Sequence, residues 1–152
     1  MYKISEKILL TIWVGGMWAI GYIVAPVLFQ MLDKQVAGNV AAQLFSIMSY
    51  VGIFSAIALM INIVVQRGFH FRHWQLMTIL AMLILVIVGQ YILQPMMAEL
   101  KTAGLTELNR SEFARLHGIA SVLFLTNSLA GLVLVVTGLG KKTDSDSALN
   151  FR

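Results

Sequence analysis

From Ile8 to Met31 the chain runs without one charged side chain, and it does so again from Leu44 to Val65 and from Trp74 to Met97. A fourth apolar stretch, Phe113 to Leu139, carries Arg115 near its start and no charge beyond it. A helix crosses the roughly 30 Å hydrocarbon core of a bilayer with about 20 residues, and each stretch exceeds that. The remainder cannot offset so much apolar surface: of 152 residues, 59% are hydrophobic and 12% charged, against roughly 25% charged in a soluble domain. Mean hydropathy is +0.82. These values place the chain in a membrane and argue against a disordered chain, a nucleic-acid binder or a secreted disulfide scaffold. Cysteine is absent, which excludes thiolate catalysis, Cys-ligated zinc and iron–sulfur clusters.

Membrane strands would show about ten residues of apolar/polar alternation, and none do. The expectation is an all-α integral membrane four-helix bundle, antiparallel and up-down-up-down, in residues 1–140, with a polar tail over 141–152. Lys3 and Lys7 before the first apolar run resemble a signal peptide, but the run is long and no small-x-small cleavage site follows it before Asp33, so it reads as a retained helix. Orientation follows the basic residues of the loops. Lys3, Lys7, Arg67, Arg72, Lys141, Lys142 and Arg152 fall on one side, and Lys34, Lys101, Arg110 and Arg115 on the other. Seven against four puts both termini in the cytoplasm and the protein in a bacterial inner membrane. The net charge of +4 and the pI near 9.6 then reflect that asymmetry, with anionic lipid head groups as partner. Residues 66–73 form a short loop and residues 98–112 a long one. Within the long loop Thr106 or Asn109 could cap a short helix leading into the fourth span, and Asn109 with Glu112 fits a capping box.

Polar groups in lipid need partners, which makes them candidate site residues. At about 100° per residue, His117, Ser121, Phe124, Ser128 and Gly131 share one face of the fourth helix, with Asn127 about 80° to the side. On the first helix, Gly15, Ala19, Tyr22, Pro26 and Phe29 recur at helical spacing beside Trp18. Gly15 and Ala19 form a small-xxx-small pair, which admits a close backbone, and Pro26 predicts a kink. Gln90 and Gln94, one turn apart before Pro95, are expected to face the fourth helix or a wet cavity. On the second helix Ser46, Ser49, Ser55 and Asn62 can bond to a neighbouring helix or to their own preceding turn. Packing alone accounts for many of these residues, since Ser, Asn and Gly are what close membrane helices use at contacts.

Two cofactor chemistries stay open. Met31, Met96, Met97 and His117 share the outer ends, and thioether with imidazole suits Cu(I). A haem could use His117 with a methionine at the outer end, or His70 or His73 near the inner surface. One haem spanning both sets is disfavoured by the bilayer between them. Every Asp and Glu lies in a loop or at a helix end, which weakens a proton-coupled transporter or an aspartyl protease. No H-E-x-x-H, G-x-S-x-G or phosphate loop occurs.

The segments W-V-G-G (Trp13, Gly15), A-P-V-L-F (Pro26, Phe29), Q-L-F (Phe45) and R-L-H-G (Arg115, His117, Gly118), followed by Ser121 and Asn127, resemble the domain-of-unknown-function 4149 family (DUF4149), which is similar to the eukaryotic transmembrane protein 205. The resemblance implies a four-helix integral membrane protein without a settled activity, whose eukaryotic relatives are associated with resistance to platinum drugs. Ala120 and Phe124 stand where the family tends to place Ser and Asn. A more distant likeness, in helix count and size, is to copper-resistance (CopD-like) proteins and HemJ-type protoporphyrinogen oxidases, although the early first-helix histidine of the latter is missing.

The expectation for function is a non-enzymatic membrane protein with an outward-facing polar crevice lined by His117, Ser121, Asn127, Gln90, Gln94, Trp18 and Tyr22. That crevice would bind or pass a small ligand or metal, in a homo-oligomer or beside a membrane partner protein. The alternatives are a haem-dependent membrane oxidoreductase with His117 as axial ligand, and a structural subunit of a membrane complex.

Overall fold

The computed structural model describes residues 2–67, 74–104 and 106–138. His70, His73, Arg72 and the tail 141–152 lie outside the described residues. Among the described residues all regular structure is helical, and four helices are long and apolar enough to cross a membrane. They are span 1 (Ile4–Met31), span 2 (Lys34–Gln66), span 3 (Trp74–Thr102) and span 4 (Asn109–Thr137).

The helices outrun the apolar stretches. Span 2 is helical from Lys34, and span 3 continues through Thr102. The long third loop therefore shrinks to a connector of residues 103–106, turned by Gly104 at φ +82°, where a side chain would be strained. The next helix starts at Glu107 with Thr106 in the cap position, and Thr106 makes no side-chain cap bond. Asn109 is already helical and donates to the Gly104 carbonyl at 2.7 Å, so the expected capping box at Asn109 is not formed. Polar residues can extend a helix beyond the hydrocarbon because its hydrogen bonds are internal; the hydropathy boundary marks the lipid, and the helix has no need to stop there.

The expected irregularity at Pro26 takes a definite form, and it occurs twice. Residues Ala19–Val24 and Gly89–Leu93 are π-helical turns, placed just before Pro26 and Pro95. Ala25 donates its N–H to the Ile20 carbonyl, and Gln94 to the Gly89 carbonyl, each five residues back. A proline ring collides with the carbonyl four residues before it, here Tyr22 or Tyr91, and the wider turn relieves that collision. The sequences match as well: Tyr22-Ile23-Val24-Ala25-Pro26 and Tyr91-Ile92-Leu93-Gln94-Pro95.

The spans pack as a ring in which span 1 meets 2, 2 meets 3, 3 meets 4, and 4 returns to 1. Glycines let the backbones close. A Cβ on Gly52 of span 2 would lie 2.5 Å from Trp13 Nε1, and one on Gly16 would lie 2.6 Å from Met48 Sδ. On the other side a Cβ on Gly21 would strike Phe124 and one on Gly131 would strike Val14. Residue numbers fall along spans 2 and 4 as they rise along span 1: Glu6 meets Gln66, Trp13 meets Gly52, Val14 meets Gly131, and Gly21 meets Phe124. The core is Leu10, Trp13, Val14, Met17, Met48, Ala56, Leu59, Ile63, Leu76, Ile79, Met82 and Leu134. Gly15 and Ala19 are exposed, and Gly15 has nothing within 4 Å of where its Cβ would be. The small-xxx-small pair thus faces away from the bundle.

Candidate functional site

The seam between spans 1 and 4 collects most of the buried polar groups outside the span ends. Ser128 is fully buried, and its hydroxyl donates to the Leu125 carbonyl at 3.0 Å. Its oxygen is then left as the acceptor for the Tyr22 hydroxyl at 2.9 Å. Trp18 Nε1 donates to the Ser128 carbonyl at 3.4 Å. The rings continue the contact. Trp18 stands edge-on to Tyr22 at 5.1 Å, Tyr22 leans on Phe124 at 5.8 Å, and Phe124 meets Phe45 of span 2 at 5.3 Å. Phe124 therefore reaches across the ring of helices.

Next to Ser128 in the chain, Asn127 is 4% exposed and donates through Nδ2 to Met17 Sδ at 3.4 Å. Its Oδ1 has no partner. Trp13, one turn before Met17 on the same face and 1% exposed, has no acceptor for its indole N–H. An unsatisfied polar group in hydrocarbon costs several kcal/mol. The indole N–H lies against Gly52 of span 2, whereas the unused amide oxygen is on span 4 beside Met17.

The other predicted residues separate from this seam. Gln90 donates to Ser46 Oγ at 2.8 Å and Gln94 to the Ala42 carbonyl at 3.2 Å, so both glutamines bind span 2 and do not face span 4. His117 and Ser121 are exposed; Ser121 donates to the His117 carbonyl, and the His117 imidazole stacks on Phe113 with centroids 6.2 Å apart. Met31 is 77% exposed at the end of span 1, and Met96 is exposed on span 3. No group of three or more His, Cys, Asp or Glu side chains able to hold a metal occurs among the described residues.

Two groups escaped the sequence reading. Ser128 was visible only as a packing residue, and its burial against Tyr22 gives it a larger part. Glu6 sits at a helix end as expected, yet it is 8% exposed and accepts from Gln66 Nε2 at 3.1 Å. The same Gln66 amide donates to Asn62 Oδ1. The carboxylate thus ties the start of span 1 to the end of span 2.

Four apolar helices closed around a few internal polar contacts define an integral membrane protein of the helical-bundle class. The chain belongs to the DUF4149 family, a domain of unknown function whose model matches residues 8–106. The match takes in spans 1 to 3, with Trp13, Met17, Trp18, Tyr22, Gln90 and Gln94, and ends before His117, Ser121, Asn127 and Ser128. No curated protein matches the chain, and no solved structure does.

Proposed function

We propose that this chain is a non-enzymatic inner-membrane protein that binds a small polar molecule inside the bilayer, at the seam of Met17, Trp18, Tyr22, Asn127 and Ser128. Its helices thread up-down-up-down with both termini cytoplasmic. The observation that carries the reading is the unpartnered Asn127 Oδ1, buried on span 4 beside Met17. Buried side-chain polar atoms are for the most part hydrogen-bonded, and here the amide oxygen is open. Trp18 and Tyr22 at the edge of the seam are exposed to the lipid. His117 and Ser121 belong to a separate patch on the outer part of span 4.

The test compares wild type with Asn127→Leu, both purified in mild detergent, by mass spectrometry of extracted small molecules, by absorption spectrum and by elemental analysis. The expected result is an extractable polar compound in wild type, at near-stoichiometric amount, that falls at least tenfold in Asn127→Leu at equal folded yield. Identical extracts from the two proteins would overturn the reading. A Soret band or bound copper that survives Asn127→Leu would also overturn it, and would move the site to the histidines and the outer methionines.

A further inference from the structure

The two π turns divide spans 1 and 3 into parts that are held differently. Met17 is the last buried residue of span 1 and Leu93 the last of span 3. Beyond them, the segments Ala25–Met31 and Gln94–Thr102 contain no buried residue. Pro26 and Pro95, at the base of these segments, have no N–H to give to the preceding turn. Each end segment is thus joined to its helix through a widened turn that lacks a hydrogen bond, and it buries little against its neighbours. Regions with few buried contacts open at the low end of a protein's free-energy range, and π turns are places where helices bend.

Both segments close on one point of span 2. A Cβ on Gly38 would lie 3.6 Å from Lys101 Nζ and 3.9 Å from Phe29 Cζ. The Lys101 ammonium donates to the Gly38 carbonyl at 3.4 Å and stands 5.8 Å from the centre of the Phe113 ring, within reach of a cation–π contact. One side chain of span 3 thus joins spans 2 and 4, and the Phe29 ring of span 1 lies beside the same glycine. Both Lys101 contacts are long and are made to neutral groups, which makes them easy to break. Two turns earlier, Gln94 donates to the Ala42 carbonyl at 3.2 Å, and Gln90 donates to Ser46 Oγ at 2.8 Å. The base of the span 3 segment is therefore pinned to span 2, while its tip is held there through Lys101. Toward the bundle centre from this closure lie Phe45 and Phe124, then Tyr22 and Ser128.

We propose that residues 25–31 and 94–102 are two hinged arms that open and close this end of the bundle, and that Lys101 is their latch. When they are closed, Nζ bridges the Gly38 carbonyl and the Phe113 ring, with Phe29 beside Gly38. To open, the arms swing at the π turns while Gln90 and Gln94 keep the base of the second arm on span 2. The Tyr22–Ser128 end of the seam then becomes reachable from the water at that end. The purpose of such a gate rests on the Asn127 reading, but the motion is tested without a ligand, so either can fail alone.

Hydrogen exchange of the full-length chain in detergent micelles, read by mass spectrometry, compares wild type with Lys101→Met and Lys101→Arg. In wild type, residues 25–31 and 94–102 are expected to exchange faster than residues 7–17 and 76–88 of the same helices. Lys101→Met should speed exchange over 94–102 about fivefold, the upper range for one partly exposed cation–π contact, and leave 76–88 unchanged. Lys101→Arg, which keeps a donor and a cation for the ring, should stay close to wild type. A second measurement uses the lack of native cysteine. A single Ser128→Cys should react slowly with a charged methanethiosulfonate, and faster by the same factor when combined with Lys101→Met. Arms that exchange as slowly as the helices below them would overturn the proposal, as would Met and Arg variants that behave alike. A Lys101→Met variant that loosens 76–88 as much as 94–102 would also overturn it, because Lys101 would then hold the whole bundle and not an arm. An unchanged rate at the engineered thiol would remove the gate as a route to the seam.

Discussion

Gly52 lacks a side chain because the Trp13 indole occupies the place where one would be. Gly52→Ala forces that ring to move within a packed interface and is expected to cost about 1–3 kcal/mol. Gly118, with nothing within 4 Å, should accept alanine with no loss and up to about 1 kcal/mol of gain in helix propensity. Thermal unfolding in detergent of the two variants checks the contrast; equal effects would contradict the packing at Gly52. Gln66→Ala leaves the buried Glu6 carboxylate without its donor. It should destabilise by about 1.5–3 kcal/mol, the range for a hydrogen bond to a charged group, measured by the same melt. Residues like these were hidden in the sequence, since Gly52 and Gly118 look alike there and only the facing side chain separates them.

At the scale of the element, the π turns decide which residues meet. An isolated proline removed from a helix returns up to about 3 kcal/mol. Pro26→Ala should return far less and weaken the Tyr22–Ser128 contact, because closing the turn to α geometry rotates Trp18 and Tyr22 against Phe29 by about one residue, or 100°. A stability gain near the full value, with Tyr22 still bonded to Ser128, would refute a role for the turn in aiming these rings. The wide turns also explain part of what the sequence concealed. A helical wheel drawn through Ala19–Val24 at a constant angle loses phase there, although the repeated Tyr-Ile-x-x-Pro pattern was a visible signal. On span 4 the cause differs. The buried positions Leu116, Asn127, Gly131 and Leu134 follow a seam that drifts as helices coil about each other. At the start of span 4 that seam is marked by Leu116, one residue from His117. Leu116 looks like a lipid-facing residue because membrane helices offer little contrast between inside and outside. Choosing polar residues therefore selected His117 and Ser121, which are exposed just beside the seam, together with Asn127, Trp18 and Tyr22, which lie along it.

For the whole molecule, the spans themselves were legible because the cost of charge in hydrocarbon leaves a direct trace in composition. Orientation is the part open to a clean measurement, since the chain has no cysteine to give background. A single cysteine at exposed Gln35 or Ala103 should react with a membrane-impermeant thiol reagent from outside intact cells, and one at Ser147 should react after lysis alone. The reverse pattern would invert the assignment made from the loop lysines and arginines.

Span 4 comes after the other three in the chain, meets spans 1 and 3, and supplies Asn127, Ser128 and Phe124. Until it arrives, a ring of three helices stands open, and the Val14, Met17 and Gly21 side of span 1 faces lipid. Assembly of this protein is therefore a closing step: the segment that completes the wall also carries the polar groups the interior has been lacking. A chain interrupted before Phe113 would present cellular quality control with an open bundle whose unsealed side is the one that normally lines its centre.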